Sequence, residues 1–393
     1  MNLYNKNILI VSGFAAEYGG NFILMLKSLA AKLKSEYQCN VIFVFPQQTQ
    51  KLWLDDLSKE YIIRFTQNTY SKTTKEILAF INEYDIDLIH THFEVYDIPV
   101  AKAIRSSKRD VKSVWHLHDY LTLEKRNLSF ASLRKLKTHF NYWLQYGFWG
   151  RRAFFAGVSA EVTHIATHYR KHIFKFPKKF SNEDLNRTDW TNAEVVINGI
   201  DTSRIKKTGD NRKEHQCFRF LTFGGDALGK GISTILKASE ILEREKYDFE
   251  LVITNGYKTP QLLEQYFGST KPEWLKIVNQ TDNISSLFGM CDAYISASLY
   301  ETMSMAIAEA SIFGLPIIQS NIPGTLWNSD TPSSFLFKVE DATDLANQMK
   351  KVIGLDKRYL QEQCEISSQI NIERLNMGLW CEKIINIYKR LFI

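Results

Sequence analysis

Two glutamates eight positions apart, Glu301 and Glu309, stand in the stretch Tyr300-Glu301-Thr302-Met303-Ser304-Met305-Ala306-Ile307-Ala308-Glu309-Ala310. Residues 293–299 have the apolar, β-rich pattern of a buried strand, and 304–313 form a helix pattern that stops at Gly314-Leu315-Pro316. A helix starting near Ser304 leaves Glu301 in the loop at the strand's carboxyl end and Glu309 about a turn and a half inside the helix. The first amides of that helix have no acceptor within it and point out between the two acids. Such a layout suits a nucleoside diphosphate sugar: one acid accepts from sugar hydroxyls, the helix start holds phosphate, and the other acid accepts from ribose. Solvated acids on a helix face are the plain alternative. The flanking strand, the Gly-Leu-Pro stop and the apolar run Ile317-Ile318-Gln319 favour binding.

Other residues could join that chemistry. Lys230 lies in Phe223-Gly224-Gly225-Asp226-Ala227-Leu228-Gly229-Lys230-Gly231, at the start of a helical pattern, where a surface lysine is also common. Gly19-Gly20 makes a turn after the first strand without the G-x-G-x-x-G spacing of a dinucleotide fingerprint. In Trp115-His116-Leu117-His118-Asp119 the two histidines differ by an even step and face one side of a strand, so spacing does not separate them. His90 and His92 form a second pair at a strand end. With no carboxylate triplet or cysteine near them in sequence, they read as a polar strand end, and no essential metal is expected.

These groups must be positioned by alternating strands and helices. Strands are expected near 7–13, 39–45, 86–92, 112–118 and 152–158, with a helix over 21–35 between the first two. A second series follows near 194–198, 218–224, 249–254, 275–280, 293–299, 316–320 and 334–339. The pattern predicts an α/β chain of two Rossmann-like, doubly wound domains facing a cleft. At 393 residues the chain exceeds one ordinary core. The expected division is 1–200, 201–374, and an amphipathic C-terminal segment 375–393 whose stripe is Leu379, Trp380, Ile384, Ile387, Tyr388 and Leu391. Residues 176–193 read as a surface loop and 202–215 as a linker.

Composition, at 45% apolar and 23% charged residues, is that of a soluble globular protein. Five scattered cysteines without a C-x-x-C spacing point to reduced thiols, a cytoplasmic setting and no zinc site. No run approaches a membrane span. Between 124 and 180 there are twelve Lys or Arg against two acids, although the whole chain nets only +6. A helix over about 130–149 would carry Leu133, Leu136, Phe140, Trp143 and Leu144 on one face, beside Arg134, Lys135 and Lys137, with Arg151 and Arg152 following. It reads either as a basic amphipathic helix for the anionic inner face of a plasma membrane or as ordinary core packing. No nucleic-acid recognition module accompanies the charge.

The chain resembles the retaining glycosyltransferases of the GT-B fold, and within them the large glycosyltransferase family 4 of bacterial polysaccharide and glycoconjugate synthesis. The 301–309 motif with Gly314-Leu315-Pro316 carries the resemblance, together with Asn198-Gly199-Ile200-Asp201, Gly157-Val158-Ser159 and the histidine segment at 115–119. The resemblance implies that Glu301, Lys230 and His118 serve catalysis, with His118 orienting the donor sugar and His116 as the fallback. Glu309 would hold ribose, the amides of Met303, Ser304 and Met305 the diphosphate, and the loops at Gly225, Gly19 and Gly20 would border the donor. It further implies a C-terminal helix that crosses back onto the N-terminal domain. One departure stands out: the family's arginine five residues before the lysine is here Gly225, with Arg219 or an N-domain residue as substitutes.

The resulting expectation is a retaining, metal-independent transferase of hexosyl or related groups that needs no cofactor. Its donor would be a nucleoside-diphosphate-sugar, a UDP-sugar first, and its acceptor a saccharide, lipid-linked on a polyprenyl diphosphate if the membrane reading holds. The rivals are an inactive transferase-like partner subunit, motivated by Gly225, and a sugar-nucleotide epimerase on the same fold.

Overall fold

Runs of Ile, Val, Leu and Phe with no polar face become central parallel strands, because helices cover such strands on both sides. In the computed structural model, which describes residues 3–47, 51–67, 69–119, 133–171, 192–206, 217–256 and 258–393, these runs build two separate sheets. The chain divides accordingly into a first unit, Met1–Gly199 with Met377–Ile393, and a second unit, Ile200–Asn376.

The first unit holds β1 (Asn7–Ser12), β2 (Asn40–Pro46), β3 (Ile62–Thr66), β4 (Leu88–His92), β5 (Lys112–Leu117), β6 (Phe154–Gly157) and β7 (Ala193–Val195). All are parallel, in the order β3-β2-β1-β4-β5-β6-β7. The described helices are α1 (Gly20–Tyr37), α2 (Leu52–Ser58), α3 (Tyr70–Glu83), α4 (Asp97–Ser107), α5 (Leu133–Tyr142) and α6 (Ala160–Lys171). Two strand expectations need correction. The edge strand β3 was not foreseen, and the run placed at 194–198 in the second series is β7, which pairs with β6 in the first sheet.

The second unit holds β8 (Phe218–Phe223), β9 (Phe249–Thr254), β10 (Leu275–Val278), β11 (Ala293–Ser296), β12 (Ile317–Ser320) and β13 (Ser334–Phe337), parallel in the order β10-β9-β8-β11-β12-β13. Its helices are α7 (Ile232–Arg244), α8 (Thr259–Phe267), α9 (Ile284–Phe288), α10 (Met305–Phe313), α11 (Ala342–Gly354) and α12 (Lys357–Arg374). Strand order reverses between β1 and β4 in one sheet and between β8 and β11 in the other. At each reversal the loops at the carboxyl ends diverge and open a crevice, where doubly wound sheets bind ligands.

The last helix, α13 (Met377–Leu391), belongs to the first unit. Trp380, Ile384, Ile387 and Tyr388 join the core that includes Leu26, Leu29 and Leu33 of α1. Lys32 pairs with Glu382 at 3.2 Å, and Arg390 with Glu194 of β7. The expected apolar stripe needs one correction, since Leu379 is 50% exposed. The expected helix over 130–149 is also different: α5 ends at Tyr142 and a π-helical stretch follows over Trp143–Trp149. The expected loop 176–193 lies outside the described residues except for 192 and 193, and the expected linker 202–215 except for 202–206. Among the described residues no helix is long and apolar enough to cross a membrane, and all five cysteines are free thiols.

The packing of α13 makes a test within one helix. Ile384→Ala, at a fully buried position, should cost about 2–5 kcal/mol, and Leu379→Ala should stay within about 0.5 kcal/mol of wild type. Urea unfolding followed by tryptophan fluorescence measures both.

Candidate functional site

In the second unit the site grows from the pairing of β8 with β11, which brings Ala293 beside Phe220 and Tyr294 beside Leu221. The loops that leave these strands are then neighbours, and the Leu299 amide donates to the Gly229 carbonyl at 2.9 Å. The approach is close enough that a Cβ at Gly231, which has φ +65°, would run into the Ala297 carbonyl oxygen. This contact brings Lys230 to Glu301, and the two form an ion pair. The Ser298 hydroxyl donates to the same carboxylate oxygen at 2.9 Å. Glu301 is therefore held in place by two donors, Lys230 and Ser298.

Three residues on, α10 begins. Ser304 is its N-cap residue, with extended backbone and no side-chain capping bond. Most helix starts of this kind recruit their own side chain to an early amide. The Ser304 amide donates to the Gly324 carbonyl at 3.3 Å, so that expected phosphate donor is already bonded within the protein. As at any helix start, the first-turn amides make no bond within the helix itself, and Met303 packs into the interior beside them at 5% exposure.

Glu309 faces inward from α10 and is 8% exposed. Its Oε1 lies 3.1 Å from Arg204 Nη1, and the same guanidinium reaches Asp282 at 3.3 Å. Burial pushes the Glu309 carboxyl up to about 7; Arg204 pulls it down and Asp282 adds to the rise. Sequence reasoning missed Arg204, because it sits in the polar connection after Asn198-Gly199-Ile200-Asp201, where an arginine carries no local signal.

Gly225 adopts φ +42°, a conformation that side chains other than glycine rarely adopt. This accounts physically for the lack of an arginine here. Arg219 does not replace it: near the start of β8, it pairs with Glu250, while Gly225 follows the strand's far end. Lys258 does reach this loop, pairing with Asp226 at 3.1 Å, and sequence alone did not single it out.

In the first unit the corresponding crevice lies after β1 and β4. Gly19 is the N-cap residue of α1 and Gly20 its first residue. Asn21 ties the helix start to the Gly199 carbonyl at 2.6 Å. Phe22 sets its ring edge against His92 and His118, with centroids 5.5 and 5.4 Å away. Both histidine pairs belong to one stack. His116 and His118 have ring centroids 4.3 Å apart, and His92 Nδ1 lies 2.8 Å from His118 Nε2. His118 is half-buried, while His90, His92 and His116 are fully buried. Burial pushes His90 and His118 down to about 3 and the other two well below the usual range, so all four are neutral imidazoles.

The basic segment is only partly described. The side chains of Leu133, Arg134 and Lys135 lie outside the described residues. Leu136 and Phe140 are 41% and 55% exposed beside the exposed Lys137, and Trp143 is half-buried. Arg151 and Arg152 are exposed, with Arg151 over the Phe148 ring at 5.8 Å.

Comparison with known proteins places the fold. Residues 204–366 match the family described as Glycosyl transferases group 1. A glycosyltransferase from Rickettsia africae ESF-5 superposes with a TM-score of 0.72 at 16% identity, covering 99% of each chain. Anabaena Alr3699/HepE, solved in complex with UDP and glucose, gives 0.74 at 16% identity, covering 97% of this chain and 99% of that one. The fold is that of the GT-B glycosyltransferases. An uncharacterized 41.2 kDa protein in the cps region of Klebsiella pneumoniae is 22% identical over 169 residues, 40% of this chain. That match spans 44% of the relative's length.

Glu309 yields a pH prediction. A group held up to about 7 is protonated below that value and charged above it, and only the charged form is acceptor-only at both oxygens, with the stronger, charge-assisted hydrogen bonds to two hydroxyls. If the crevice binds nucleotide, affinity should rise with pH through about 7. The four stacked histidines titrate too low to contribute. Isothermal titration with UDP between pH 5.5 and 8.5 measures it, and Glu309→Gln should flatten the profile.

Proposed function

We propose that this chain is a retaining, metal-independent glycosyltransferase that takes a hexose or related sugar from a UDP-sugar and places it on a saccharide hydroxyl. One observation carries the reading. Lys230, Glu301, the uncapped start of α10 and Glu309 converge at the strand-order reversal of the sheet, inside the segment that matches the group 1 family. Glu301 would accept from sugar hydroxyls and Glu309 from ribose. Lys230, released from Glu301, would meet the diphosphate, and Lys258 would serve as its second cation where Gly225 offers none. His118 would orient the donor sugar, a neutral imidazole being able to donate one hydrogen bond and accept another.

The bond from the anomeric carbon to the diphosphate oxygen breaks, and the acceptor oxygen bonds to that carbon on the same face. The acceptor's proton passes to the departing diphosphate. Such a step asks for stabilisation of the negative charge that builds on the leaving group, which lysines and a helix start supply.

A lipid-linked acceptor at the cytoplasmic face of a membrane is part of the proposal, supported by Leu136 and Phe140 exposed beside Lys137. Each basic side chain near an anionic leaflet contributes about 1 kcal/mol. Synthesis of a surface or capsule polysaccharide is the proposed setting, supported by the relative in a cps region. The second reading, an inactive partner of a working transferase, is favoured by Gly225 alone.

Thermal unfolding with UDP, GDP, dTDP and ADP separates the two readings. At about a hundredfold excess over Kd, ligand adds roughly 2.7 kcal/mol, a rise of a few degrees. UDP should raise the Tm of wild type and not of Glu309→Ala, and Lys258→Ala should weaken UDP binding about tenfold. No shift with any nucleotide would select the inactive partner. For the membrane, vesicles with anionic lipid should retain the protein at low salt and release it at high salt. Leu136→Asp with Phe140→Asp should abolish retention, and recovery of the protein in the supernatant at low salt would remove this part of the proposal.

A further inference from the structure

The three buried histidines of the first unit come together by strand geometry. His90 and His92 alternate with Thr91 on β4 and so share one face. The parallel register sets His116 of β5 directly beside His92. The result is a triangle in which one ring nitrogen from each of the three lies within 4.8 Å of the others. Ring centroids are 4.1 Å apart for His90 and His92, 5.1 Å for His92 and His116, and 5.3 Å for His90 and His116.

Polar bookkeeping shows what this triangle lacks. His90 uses Nδ1 toward the Tyr388 hydroxyl at 2.6 Å and Nε2 toward His116 Nδ1 at 3.2 Å. His92 uses Nδ1 toward His118. The Nε2 atoms of His92 and His116 are fully buried without a hydrogen-bond partner. Donation can run either way along these contacts; in one set of tautomers His116 Nδ1 donates to His90, His90 Nδ1 donates to Tyr388, and His92 Nδ1 donates to His118. That set turns both unpartnered Nε2 atoms into bare lone pairs. A buried polar atom left this way costs about 1–3 kcal/mol.

We infer that His90, His92 and His116 bind one late first-row divalent cation, with zinc the expected occupant, through the unpartnered Nε2 atoms of His92 and His116 and through His90 Nε2, which gives up its contact with His116 Nδ1 on binding. An all-imidazole donor set suits zinc, cobalt, nickel or copper, and is a poor match for magnesium or calcium, which require oxygen. The Tyr388 hydroxyl and His118 stand where outer partners of metal-bound histidines stand, each on a ring nitrogen that the metal leaves free. Zinc–nitrogen bonds of about 2.1 Å bring tetrahedral ligands to roughly 3.4 Å from one another. Binding therefore draws the 4.8 Å triangle inward. All three rings are fully buried, so the ion's role would be structural, with a water completing the tetrahedron: it would pin β4, β5 and, through Tyr388, α13, and hold His92 in the tautomer that donates to His118.

This departs from the plain reading of His90 and His92 as a polar strand end. It is independent of the sugar-transfer proposal, and UDP binding neither supports nor weakens it.

Tag-free, full-length protein is stripped with chelator and titrated with cobalt(II), then zinc(II). The expected results are one equivalent bound, d–d absorption bands of a nitrogen-ligated cobalt that zinc displaces, and a rise in Tm of several degrees. His92→Gln and His116→Gln should each weaken binding at least tenfold, and His164→Gln on α6 should leave it unchanged. If the variants do not fold, X-ray absorption of the zinc-loaded wild type decides, with three imidazole nitrogens at about 2.0–2.1 Å expected. Failure of the stripped wild type to bind either ion would overturn the inference and leave an internal water as the occupant. Binding unchanged in both glutamine variants, or oxygen-dominated coordination, would overturn it equally.

Discussion

Parallel pairing between β8 and β11 is the constraint from which the second unit's crevice follows. These strands are far apart in the chain, β8 ending at Phe223 and β11 starting at Ala293, yet their contact fixes where two loops must run. The amide bond between Leu299 and Gly229, with the tight fit of Gly231 under Ala297, leaves those loops almost no freedom. Lys230 and Glu301 meet because their backbones cannot do otherwise. A site fixed by backbone registration keeps its geometry without ligand, so little ordering entropy is left to be lost on binding.

The charges in that crevice are already paired. Lys230 is matched by Glu301, Arg204 by Glu309 and Lys258 by Asp226. A ligand bearing only phosphate would separate a cation from its carboxylate and leave the acid unpaired. A ligand bearing only hydroxyls would do the reverse. One that carries both can take the two halves of an ion pair at once, phosphate to the base and hydroxyl to the acid. For Arg204 and Glu309, the most buried of the three pairs, a ligand that separated them without replacing both partners would leave a buried charge unpaired, which is the costlier state.

Much of this was legible in the sequence, and the failures have physical causes. The buried central strands announced themselves through unbroken apolar runs. Strand β3 did not, because Arg64 interrupts it and Ile62 and Phe65 are 44% and 40% exposed at the sheet's edge. The run at 293–299 reads as one strand although pairing ends at Ser296, since Ala297 and Ser298 remain buried in the loop. Glu301 and Glu309 carried a local pattern; Arg204 and Lys258 carried none, because contacts made across the fold select them. The two histidine pairs could each be assigned a face, but nothing local states that β4 and β5 are neighbours. That adjacency turns two pairs into one stack.

The first unit is built from two pieces of chain with the whole second unit between them. During synthesis the β1 sheet emerges long before α13, and the surface meant for Trp380, Ile384 and Tyr388 stays uncovered while some 180 residues are added. Long-range closure of this kind slows folding and leaves apolar surface open to other chains. The second unit is continuous and can finish first. A ribosome that stalls within the second unit therefore leaves the first without its closing helix.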